Sequence, residues 1–567
     1  MKRIHISSLE WILKVTGSDC KRIFFILLIQ IAQALTSLYL AMALRTFVNA
    51  AVAKDVITFR NYVFILLGVL FLMIGMSSGL RFLREYTTTS IYKKFQMREL
   101  QEILNKAYAQ VSSIHSGEWM NRINSDANVV SSGVTNILPN VVSMCVRLAG
   151  ALYLLVQMIP EVAYIIIPGG FILGLLTFLF RSKLKQMHKE QQEAQGRFRI
   201  FLQERLENLL VIHSFSKEQD VIKEGSTINE EYRKKHIMRD NFSNICNVGF
   251  GMVMDGAYIL GICYCGYRIL NGTMEYGTLI AVMKLVSQVQ SPFANLSGYV
   301  PQYYAMQASA ERLMEVEAFA DTFAKPTLGA SQVSDFYNNE LESINFRNIS
   351  FSYDTKTDVK DEEKCCVIKD FTTSIPKGSI VAITGPSGCG KSTMLKILMC
   401  LYPLDEGEII LQTKDGEQTL NSKWRGLYAY VPQGNQLMAG SIREVVTFNN
   451  DEKYGDEVGI WRALKVADAE NFVRALPEGL DSRLGEHGSG LSEGQVQRLA
   501  IARAVYAEHP ILLFDESTSS LDEKTEHDVL KNIKKLTNCT VLLVTHRKAP
   551  LGICDQQIDM GRLIDAF

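Results

Sequence analysis

A glycine-rich segment, Gly385-Pro-Ser-Gly-Cys-Gly-Lys-Ser-Thr393, has the residue types and spacing needed to hold a polyphosphate. Glycines leave backbone N–H groups open to anionic oxygens, and a lysine followed by a hydroxyl residue can reach the outer phosphates and a Mg²⁺ ion. Residues 379–384 before it form a short apolar run, and residues 391–402 have a helical pattern whose positive N-terminus would face the phosphates. The candidate phosphate ligands are Gly385, Pro386, Ser387, Gly388, Cys389, Gly390, Lys391, Ser392 and Thr393, and Ser392 is also a candidate Mg²⁺ ligand.

Other apolar runs end in residues that can act on a nucleoside triphosphate. Asp515 can bind Mg²⁺ through water, and Glu516 can polarise the water that attacks the γ-phosphate. Gln433 offers an uncharged oxygen ligand for Mg²⁺, and His546 is placed to contact the same phosphate. Apolar runs that alternate with helical patterns predict a parallel sheet buried on both faces, whose carboxyl edge collects ligands. The four apolar runs are 380–383, 427–431, 511–514 and 541–544.

A second helix start suited to an anion lies about one hundred residues beyond the lysine, in Leu491-Ser-Glu-Gly-Gln495. Ser492 is predicted to be an N-cap, Gly494 permits close approach, and a helix is predicted to continue through residues 498–506. The phosphate loop already supplies one helix N-terminus, so this second one needs a different explanation.

The first 320 residues have the pattern of a membrane domain. Six apolar segments are each long enough to span a bilayer, and polar, helix-rich connections of some fifty to sixty residues separate the second span from the third and the fourth from the fifth. Their excess of Lys and Arg indicates the cytoplasmic side. About 27 residues in each arm predict helices that extend roughly 40 Å, with turns near 112–117 and 213–225. The predicted spans are 22–48, 60–83, 136–158, 161–181, 246–268 and 276–298.

Net charge and cysteine content limit the classes of partner and of site that the chain can have. A formal net charge of -1 and a pI near 6.8 argue against a nucleic-acid partner, because no basic field is available to bind phosphodiesters. The eleven cysteines show no metal-ligand spacing and are predicted to be reduced thiols.

We predict a transmembrane domain over 1–320, a linker over 321–340 and an ATPase domain over 341–567. Residues 7–17 form either an elbow helix on the membrane surface or an exposed start to the first span.

Together, these motifs resemble those of an ATP-binding cassette (ABC) exporter of the half-transporter type. The resemblance covers nearly the whole chain, although the membrane part matches mainly in the number of spans and the lengths of the loops. It implies a multidomain membrane protein with an all-α six-span transmembrane domain and long cytoplasmic helices. An α/β P-loop ATPase domain with an α-helical subdomain would follow, and the cofactors would be ATP and Mg²⁺.

The same resemblance assigns roles to individual residues. Tyr353 would stack on adenine, Gln433 would be the Q-loop ligand, Glu516 the catalytic base and His546 the switch histidine. Residues 484–488 resemble the segment that touches the coupling elbows, and 519–522 the loop through which two cassettes communicate. The residues implied to reach nucleotide from the signature helix and this loop are Ser492, Gly494, Gln495 and Asp522.

The family arrangement also explains the second helix start, because each of two ATP molecules lies between one subunit's phosphate loop and the other subunit's signature helix. A single copy would therefore hold half of each site and be inactive as a monomer. The partner would be a second copy or a related half-transporter. Glu493 departs from the family, which usually has glycine at this position; its charge suits the helix dipole but would repel nucleotide if it turned inward.

Ionisable residues inside the predicted spans are the clues to cargo. Arg147, Asp255 and Lys284 are costly in hydrocarbon, so they either line a central aqueous path or fasten helices through an ion pair such as Arg147 with Asp255. We predict an integral protein of a prokaryotic plasma (inner) membrane, with its ATPase domain in the cytoplasm. It would export a small or amphipathic cargo (a drug, lipid or peptide-like molecule) by alternating access. The alternatives are a heterodimer subunit, an importer built like an exporter, as in metal-chelate uptake, and an ATP-gated channel or regulator.

Overall fold

The computed structural model describes most of the chain, and the described part forms two compact units. The membrane unit contains residues 7–100 and 119–315, and the cassette unit contains residues 101–118 and 316–561. The described residues are 7–321, 328–353, 366–434, 437–448, 455–485, 488, 490–536, 539–547 and 549–561, without the side chains of 162–179, 181, 250, 254, 257, 291, 293–297 and 300.

Long helices make up the first half of the chain. Stretches rich in Leu, Ile, Ala and Met, and polar stretches rich in Glu, Lys, Gln and Arg, both favour helix, and the longest helix among the described residues has 53 residues. The helices are α1 Ser8–Thr16, α2 Cys20–Val52, α3 Val56–Asn105, α4 Tyr108–Val111, α5 Ser116–Asn121, α6 Ala127–Met158, α7 Ala163–Glu207, α8 Leu209–Ser214, α9 Glu218–Leu270 and α10 Tyr276–Glu315. The helices α6 and α10 continue through internal prolines.

Four helical stretches among the described residues are long and apolar enough to cross a bilayer. They contain the first, second, third and fifth predicted spans. The fourth predicted span lies in α7, where most side chains are outside the described set, and the sixth lies in the helix α10. The four stretches are Ser8–Val52, Val56–Asn105, Ser116–Met158 and Glu218–Leu270.

The polar connections form helical arms with short turns. Helix α3 continues without a break about 22 residues beyond the second predicted span, which corresponds to roughly 33 Å. The short helices α4 and α5 then turn the chain, and α8 turns it again between α7 and α9. Both turns lie close to the predicted positions. We call residues 106–116 the first elbow.

The N-terminal segment is an elbow helix with two unlike faces. Ser7 caps α1 by accepting a hydrogen bond from the Glu10 N–H at 3.2 Å. Trp11 is buried, with its ring centroid 5.5 Å from that of Phe95, whereas Leu13 on the other face is exposed. This amphipathic arrangement favours the surface-elbow interpretation over an exposed start to the first span.

A five-stranded parallel sheet forms the centre of the cassette unit, as predicted from the four apolar runs. Its strand order is β11-β3-β10-β9-β6, and β3, β9 and β10 consist almost wholly of buried residues. A four-stranded antiparallel sheet in the order β2-β1-β4-β5 accompanies it and was not predicted. The strands are β1 Leu341–Ser352, β2 Cys366–Pro376, β3 Ile380–Thr384, β4 Glu406–Thr413, β5 Gly416–Thr419, β6 Tyr428–Val431, β7 Gly440–Ser441, β8 Arg483–Leu484, β9 Ile511–Asp515, β10 Thr540–Val544 and β11 Gln556–Asp559.

Helices cover the parallel sheet and complete the cassette unit. The helix α12 begins inside the phosphate loop, and α16 begins at the signature segment. The helices are α11 Ala330–Asp335, α12 Lys391–Leu398, α13 Ile442–Thr447, α14 Glu457–Val466, α15 Glu470–Ala475, α16 Glu493–Tyr506 and α17 Glu523–Lys534.

The segment predicted as a linker is more ordered than expected. Residues 330–340 form α11 and a wider helical turn, and Val333, Phe336 and Tyr337 are buried in the cassette core. The Tyr337 hydroxyl lies 2.7 Å from the Thr540 hydroxyl at the start of β10. The apolar residues follow the i, i+3, i+4 spacing of a buried helix face, which the polar composition around them conceals.

Replacing Tyr337 by alanine is expected to destabilise the cassette unit by about 3–5 kcal/mol, because a fully buried aromatic ring and its hydroxyl bond are lost. Thermal unfolding of the full chain in lipid discs measures this change. Asp335→Ala, an exposed substitution in the same segment, provides the control and should melt like the wild type. Equal melting of both variants would mean that this segment is a dispensable linker after all.

Candidate functional site

The parallel sheet brings the predicted catalytic residues to one edge. Strands β3, β6, β9 and β10 are all parallel, so their carboxyl ends point the same way. The phosphate loop follows β3, Gln433 follows β6, Asp515 ends β9 and Glu516 follows it, and His546 follows β10. Residues that are up to 161 positions apart in the chain therefore share one edge of the sheet.

The phosphate loop needs glycine at the positions where the chain turns. Gly390 has φ 92°, and a Cβ there would lie 3.0 Å from Val367 Cγ1. Gly385 has φ 145°, and a Cβ there would lie 2.8 Å from the Cys389 sulfur, so the buried cysteine fills the space that this glycine leaves. The Lys391 ammonium donates to the carbonyl oxygens of Gly385 at 2.9 Å and Pro386 at 2.8 Å, which holds this cation across the loop.

Asp515 is held by hydroxyl groups from two other elements. It is 1% exposed, and its two carboxylate oxygens accept from the Ser392 hydroxyl at 2.7 Å and from the Tyr430 hydroxyl at 2.9 Å. Burial raises the pKa of Tyr430 far above its usual value, and the neighbouring Asp515 charge adds to this effect. Tyr430 thus remains a hydroxyl donor at physiological pH.

Glu516 lies between the two other strand-end residues. One carboxylate oxygen accepts from the Gln433 amide at 2.6 Å, and the other lies 2.7 Å from His546 Nε2. Its backbone has φ 48°, a left-handed conformation that costs a non-glycine residue about 1 kcal/mol or more. This backbone conformation is unfavourable by itself, and it accompanies the placement of the Glu516 carboxylate next to Gln433 and His546.

Tyr353 is attached to the helix that begins in the phosphate loop. Its hydroxyl lies 2.9 Å from the Thr393 hydroxyl, and its half-buried ring stands edge-on to Phe351 and Tyr402 at centroid distances of 4.9 and 5.3 Å. This geometry fixes the ring at the end of β1 while leaving part of it accessible, as stacking on a base requires.

The signature segment begins a helix but does not join the cluster at the sheet edge. Ser492 caps α16 and forms a reciprocal capping box with Gln495, at 2.9 and 3.3 Å. A Cβ on Gly494 would lie 3.1 Å from the Ser520 carbonyl oxygen, so glycine allows close approach there. Over the described stretches of the cassette unit, no hydrogen bond connects Ser492 or Gln495 with the phosphate loop.

Asp522 and Arg547 shape the loop after β9. The Asp522 carboxylate caps α17 by accepting from the Thr525 N–H at 3.1 Å, and hydrogen bonding to Thr525 lowers the pKa of Asp522. The Arg547 guanidinium donates to the Leu521 carbonyl oxygen at 2.6 Å and to the buried Glu526 carboxylate at 3.3 Å. Because Arg547 directly follows His546, these bonds connect the loop after β9 to the end of β10.

Sequence reasoning missed three positioning residues, namely Tyr402, Tyr430 and Arg547. Tyr430 had a readable signal, because it is one of two tyrosines in an otherwise apolar strand, β6, that precedes Gln433. Arg547 had a weaker signal, a cation directly after the strand-end histidine. In the segment 484–488, Leu484 pairs with Gly440 through β8 and β7, whereas Glu486 and His487 lie outside the described residues.

The donor set fits ATP with Mg²⁺. Ser392, Gln433 and Asp515 offer only oxygen ligands near the phosphate loop, which suits a hard cation that is shared with phosphate oxygens. Among the described residues, no group of three or more His, Cys, Asp or Glu side chains is arranged to hold a metal ion. Mg²⁺ does not need such a cage, because it usually keeps waters and takes one or two protein ligands.

The polar residues within the membrane helices fall into two groups. Some fasten helices together: the Gln288 amide donates to the Ser37 hydroxyl at 2.8 Å, and the Gln30 amide donates to Asn140 at 2.7 Å. A second group lines a cavity of about 390 Å³ in the membrane unit. The cavity is lined by Leu44, Asp255, Tyr258, Ile280, Met283, Lys284, Ser287 and Gln290.

Arg147 belongs to neither group. It does not line this cavity, and its buried Nε atom has no hydrogen-bond partner among the described residues. Within the same described part of the membrane unit, no ion pair joins Arg147 to Asp255. The structure therefore places Asp255 and Lys284 together and leaves Arg147 apart from them.

Comparison with known proteins agrees with this geometry. The family model for the ABC transporter transmembrane region matches residues 22–293, and the ABC transporter model matches residues 368–519. A solved bacterial Atm1-family ABC exporter with ATP bound has a similar fold, with a TM-score of 0.78 over 95% of this chain and 94% of that chain at 20% identity.

Curated relatives are similar over most of this chain. ABC transporter B family member 1 of Dictyostelium discoideum is 29% identical over 78% of the chain, although the chain spans only 48% of that protein. A multidrug resistance ABC transporter ATP-binding and permease protein of Lactococcus lactis is 26% identical over 82% of the chain and 77% of its own length. The ATP-dependent lipid A-core flippase of Photobacterium profundum is 24% identical, over 79% and 75% respectively.

Two adjacent domain matches, the shared exporter fold and the phosphate-binding edge of the sheet lead to one assignment. The chain belongs to the ATP-binding cassette exporters of the half-transporter type, in which a helical transmembrane domain and one ATP-hydrolysing domain form a single polypeptide.

Proposed function

We propose that this chain works as a homodimer in a prokaryotic plasma (inner) membrane and exports a small or amphipathic cargo by alternating access. The observation that carries this proposal is the split nucleotide machinery. Lys391, Ser392 and Glu516 cluster at the sheet edge, whereas the capped start of α16 forms no described hydrogen bond with the phosphate loop. An anion-binding helix start that is unused within its own subunit is suited to the nucleotide of a second copy.

Within each composite site, the residues divide the work. Lys391 and the loop N–H groups would bind the phosphates, and Ser492 and Gly494 of the second copy would close over them. Ser392, Gln433 and Asp515 would hold Mg²⁺, which when bound neutralises phosphate charge. Glu516 would accept hydrogen bonding from the attacking water, with its carboxylate oriented by Gln433 and His546.

The cavity in the membrane unit supports an amphipathic cargo with a polar or charged group. Ile280, Lys284 and Ser287 are exposed at the i, i+4, i+7 spacing of one face of α10, and Asp255 on α9 lines the same cavity. A volume of about 390 Å³ lies in the range of drug-sized ligand sites. Relatives named for multidrug resistance and for lipid A-core transport fit the same broad class.

Transport in inside-out vesicles tests the proposal. Vesicles that contain only this chain should accumulate a fluorescent amphipathic cation such as rhodamine 123, or a short-chain fluorescent phospholipid, when ATP is added outside. Accumulation only in right-side-out vesicles loaded with ATP would favour the importer alternative. Flux down a gradient that persists with a non-hydrolysable ATP analogue would favour the channel alternative, and activity that appears only with a second, different subunit would favour the heterodimer.

Neutralising the cavity charges should change cargo recognition without loss of stability. We expect Asp255→Asn or Lys284→Gln to raise the cargo concentration for half-maximal ATPase stimulation by about tenfold, because a hydrogen bond to a charged group is lost. Gln288→Leu is the matched contrast on the same helix, since it removes the bond to Ser37 and should lower the melting temperature instead. Lower melting of the charge variants with unchanged stimulation would assign them a structural role.

A further inference from the structure

Tyr402 is the centre of an aromatic cluster in the cassette unit. It lies shortly after the end of α12 and is half-buried. Its ring is edge-on to Tyr353 and tilted steeply to Phe351, at centroid distances of 5.3 and 5.5 Å. It is also edge-on to Tyr108 of the first elbow at 5.9 Å. One ring therefore contacts both the predicted adenine-stacking residue and the elbow.

Both ends of this cluster are anchored. Tyr353 is tied to α12 through the Thr393 hydroxyl at 2.9 Å. In the elbow, the Ser112 hydroxyl lies 3.5 Å from the Tyr402 hydroxyl, at the limit of a hydrogen bond. Because α3 runs unbroken from residue 56 to residue 105, the elbow continues directly into a helix that contains a predicted membrane span.

The elbow is also held by contacts with residues 320 and 321. The Lys106 ammonium forms a 2.7 Å ion pair with Asp321, and the backbone of Ala107 donates to Ala320 at 2.8 Å. The Gln110 side chain accepts from the Ala320 N–H at 2.6 Å. These bonds hold the elbow to residues 320 and 321, while the Tyr108 ring and the Ser112 hydroxyl contact Tyr402.

We propose that Tyr402 is a positioning residue that transmits the presence of a stacked adenine base from Tyr353 to Tyr108 of the first elbow. This inference goes beyond the proposed function but rests on ATP binding to this site, with adenine stacked on Tyr353 as the family resemblance implies. Stacking fixes the Tyr353 ring, and an edge-on contact passes that orientation to Tyr402, because aromatic side chains move as rigid plates with only two torsions. The elbow thereby responds to the base of the nucleotide and not only to its phosphates.

This relay has a consequence that phosphate sensing alone does not have. A ligand shifts a conformational equilibrium only through contacts that differ between the two states. Inorganic triphosphate can contact Lys391 and Ser392 but not the Tyr353 ring, so it would leave the relay unbiased. ATP would engage both parts.

Hydrogen exchange on the full chain in lipid discs tests this difference, with Glu516→Gln present to slow hydrolysis. ATP should slow amide exchange in residues 107–118 about fivefold more than inorganic triphosphate does, the lower end of typical coupling between sites. Tyr402→Ala should remove this ATP-specific difference while retaining ATP binding, and Tyr402→Phe should restore it because the ring contacts remain. Tyr353→Leu should have the same effect as Tyr402→Ala, and the double variant should add nothing further.

Controls separate a relay from general loosening. Trp461→Ala removes a half-buried ring that packs 4.0 Å from the Arg474 guanidinium, and it should leave the ATP-specific protection unchanged. A Tyr402→Ala variant that exchanges faster with both ligands but keeps their difference would overturn the relay and leave Tyr402 a packing residue. Equal protection by ATP and triphosphate in the parent protein would also overturn it, without affecting the proposed transport cycle. Failure of the parent to bind ATP would refute both.

Discussion

Glu516→Gln is expected to lower ATP hydrolysis by about 10²–10⁴-fold while ATP binding remains close to that of the wild type. Glu516 contributes a carboxylate to the strand-end cluster, and its basic oxygen can take a proton from an attacking water. An amide has the same shape and keeps an oxygen that can accept from Gln433, so the surrounding geometry should survive. What is lost is the basic oxygen and not the site.

Steady-state phosphate release and equilibrium ATP binding, both measured in lipid discs, separate these two effects. Glu523→Gln makes the same chemical change on an exposed carboxylate in the first turn of α17 and should leave the turnover unchanged. If Glu516→Gln hydrolyses ATP at the wild-type rate, Glu516 is not the base. If it fails to bind ATP, the residue has a structural role that the geometry does not indicate.

The catalytic residues could be predicted because each depends on a short local pattern. Four or five consecutive apolar residues identify a buried strand, and the one or two residues that follow are then placed at the carboxyl edge of the sheet. The predicted run 427–431 differs from β6 by one residue, since Leu427 belongs to a preceding helical turn. The bonds from Gln433 and His546 to Glu516 could not be predicted, because they depend on the order in which strands pair.

The sequence patterns did not predict features that depend on tertiary packing. The helix after the phosphate loop was predicted to reach residue 402 but ends at Leu398, and Cys400 then adopts φ 54°. No turn-forming residue marks that position, yet this turn is what returns Tyr402 to Phe351 and Tyr353. The antiparallel sheet was missed for a similar reason, since β1 pairs with β2 and β4, which begin 14 and 54 residues after its end.

In the membrane unit, too, the sequence pattern alone does not predict the role of individual polar residues. Lys284 and Gln288 lie one helical turn apart on α10, and a helical pattern alone would place them on nearly the same face. The structure exposes Lys284 towards the cavity and buries Gln288 against Ser37 of α2. Which polar residue contacts cargo and which fastens helices is decided by the neighbouring helix and not by the residue type.

Mixing two inactive variants is expected to restore ATPase activity if the sites are shared between copies. Lys391→Ala should disable the phosphate loop, and Gly494→Asp should disable the signature helix by adding a negative charge where phosphate would approach. Each variant alone should lose roughly 100-fold or more in turnover, as when a key electrostatic donor is removed. In a mixed dimer, both defects fall in one composite site, and the other site has an intact phosphate loop facing an intact signature helix.

Co-reconstitution at equal amounts should make about half of the dimers mixed, and with one working site each they would give about a quarter of the wild-type rate if the sites are independent. The matched control carries both substitutions in one chain and is mixed with wild type, because each site of that mixed dimer then has one defect. Only the wild-type homodimers should then work, giving about a quarter of the wild-type rate, whereas sites held within one subunit would give about half of it here and almost none in the mixture of single variants. Ser492→Ala replaces Gly494→Asp as a second signature variant, in case the 3.1 Å approach to Ser520 does not tolerate a side chain. Full-rate hydrolysis by a purified single protomer, or rescue by the doubly substituted chain, would contradict a nucleotide shared between two copies and with it the coupling of ATP to the membrane unit.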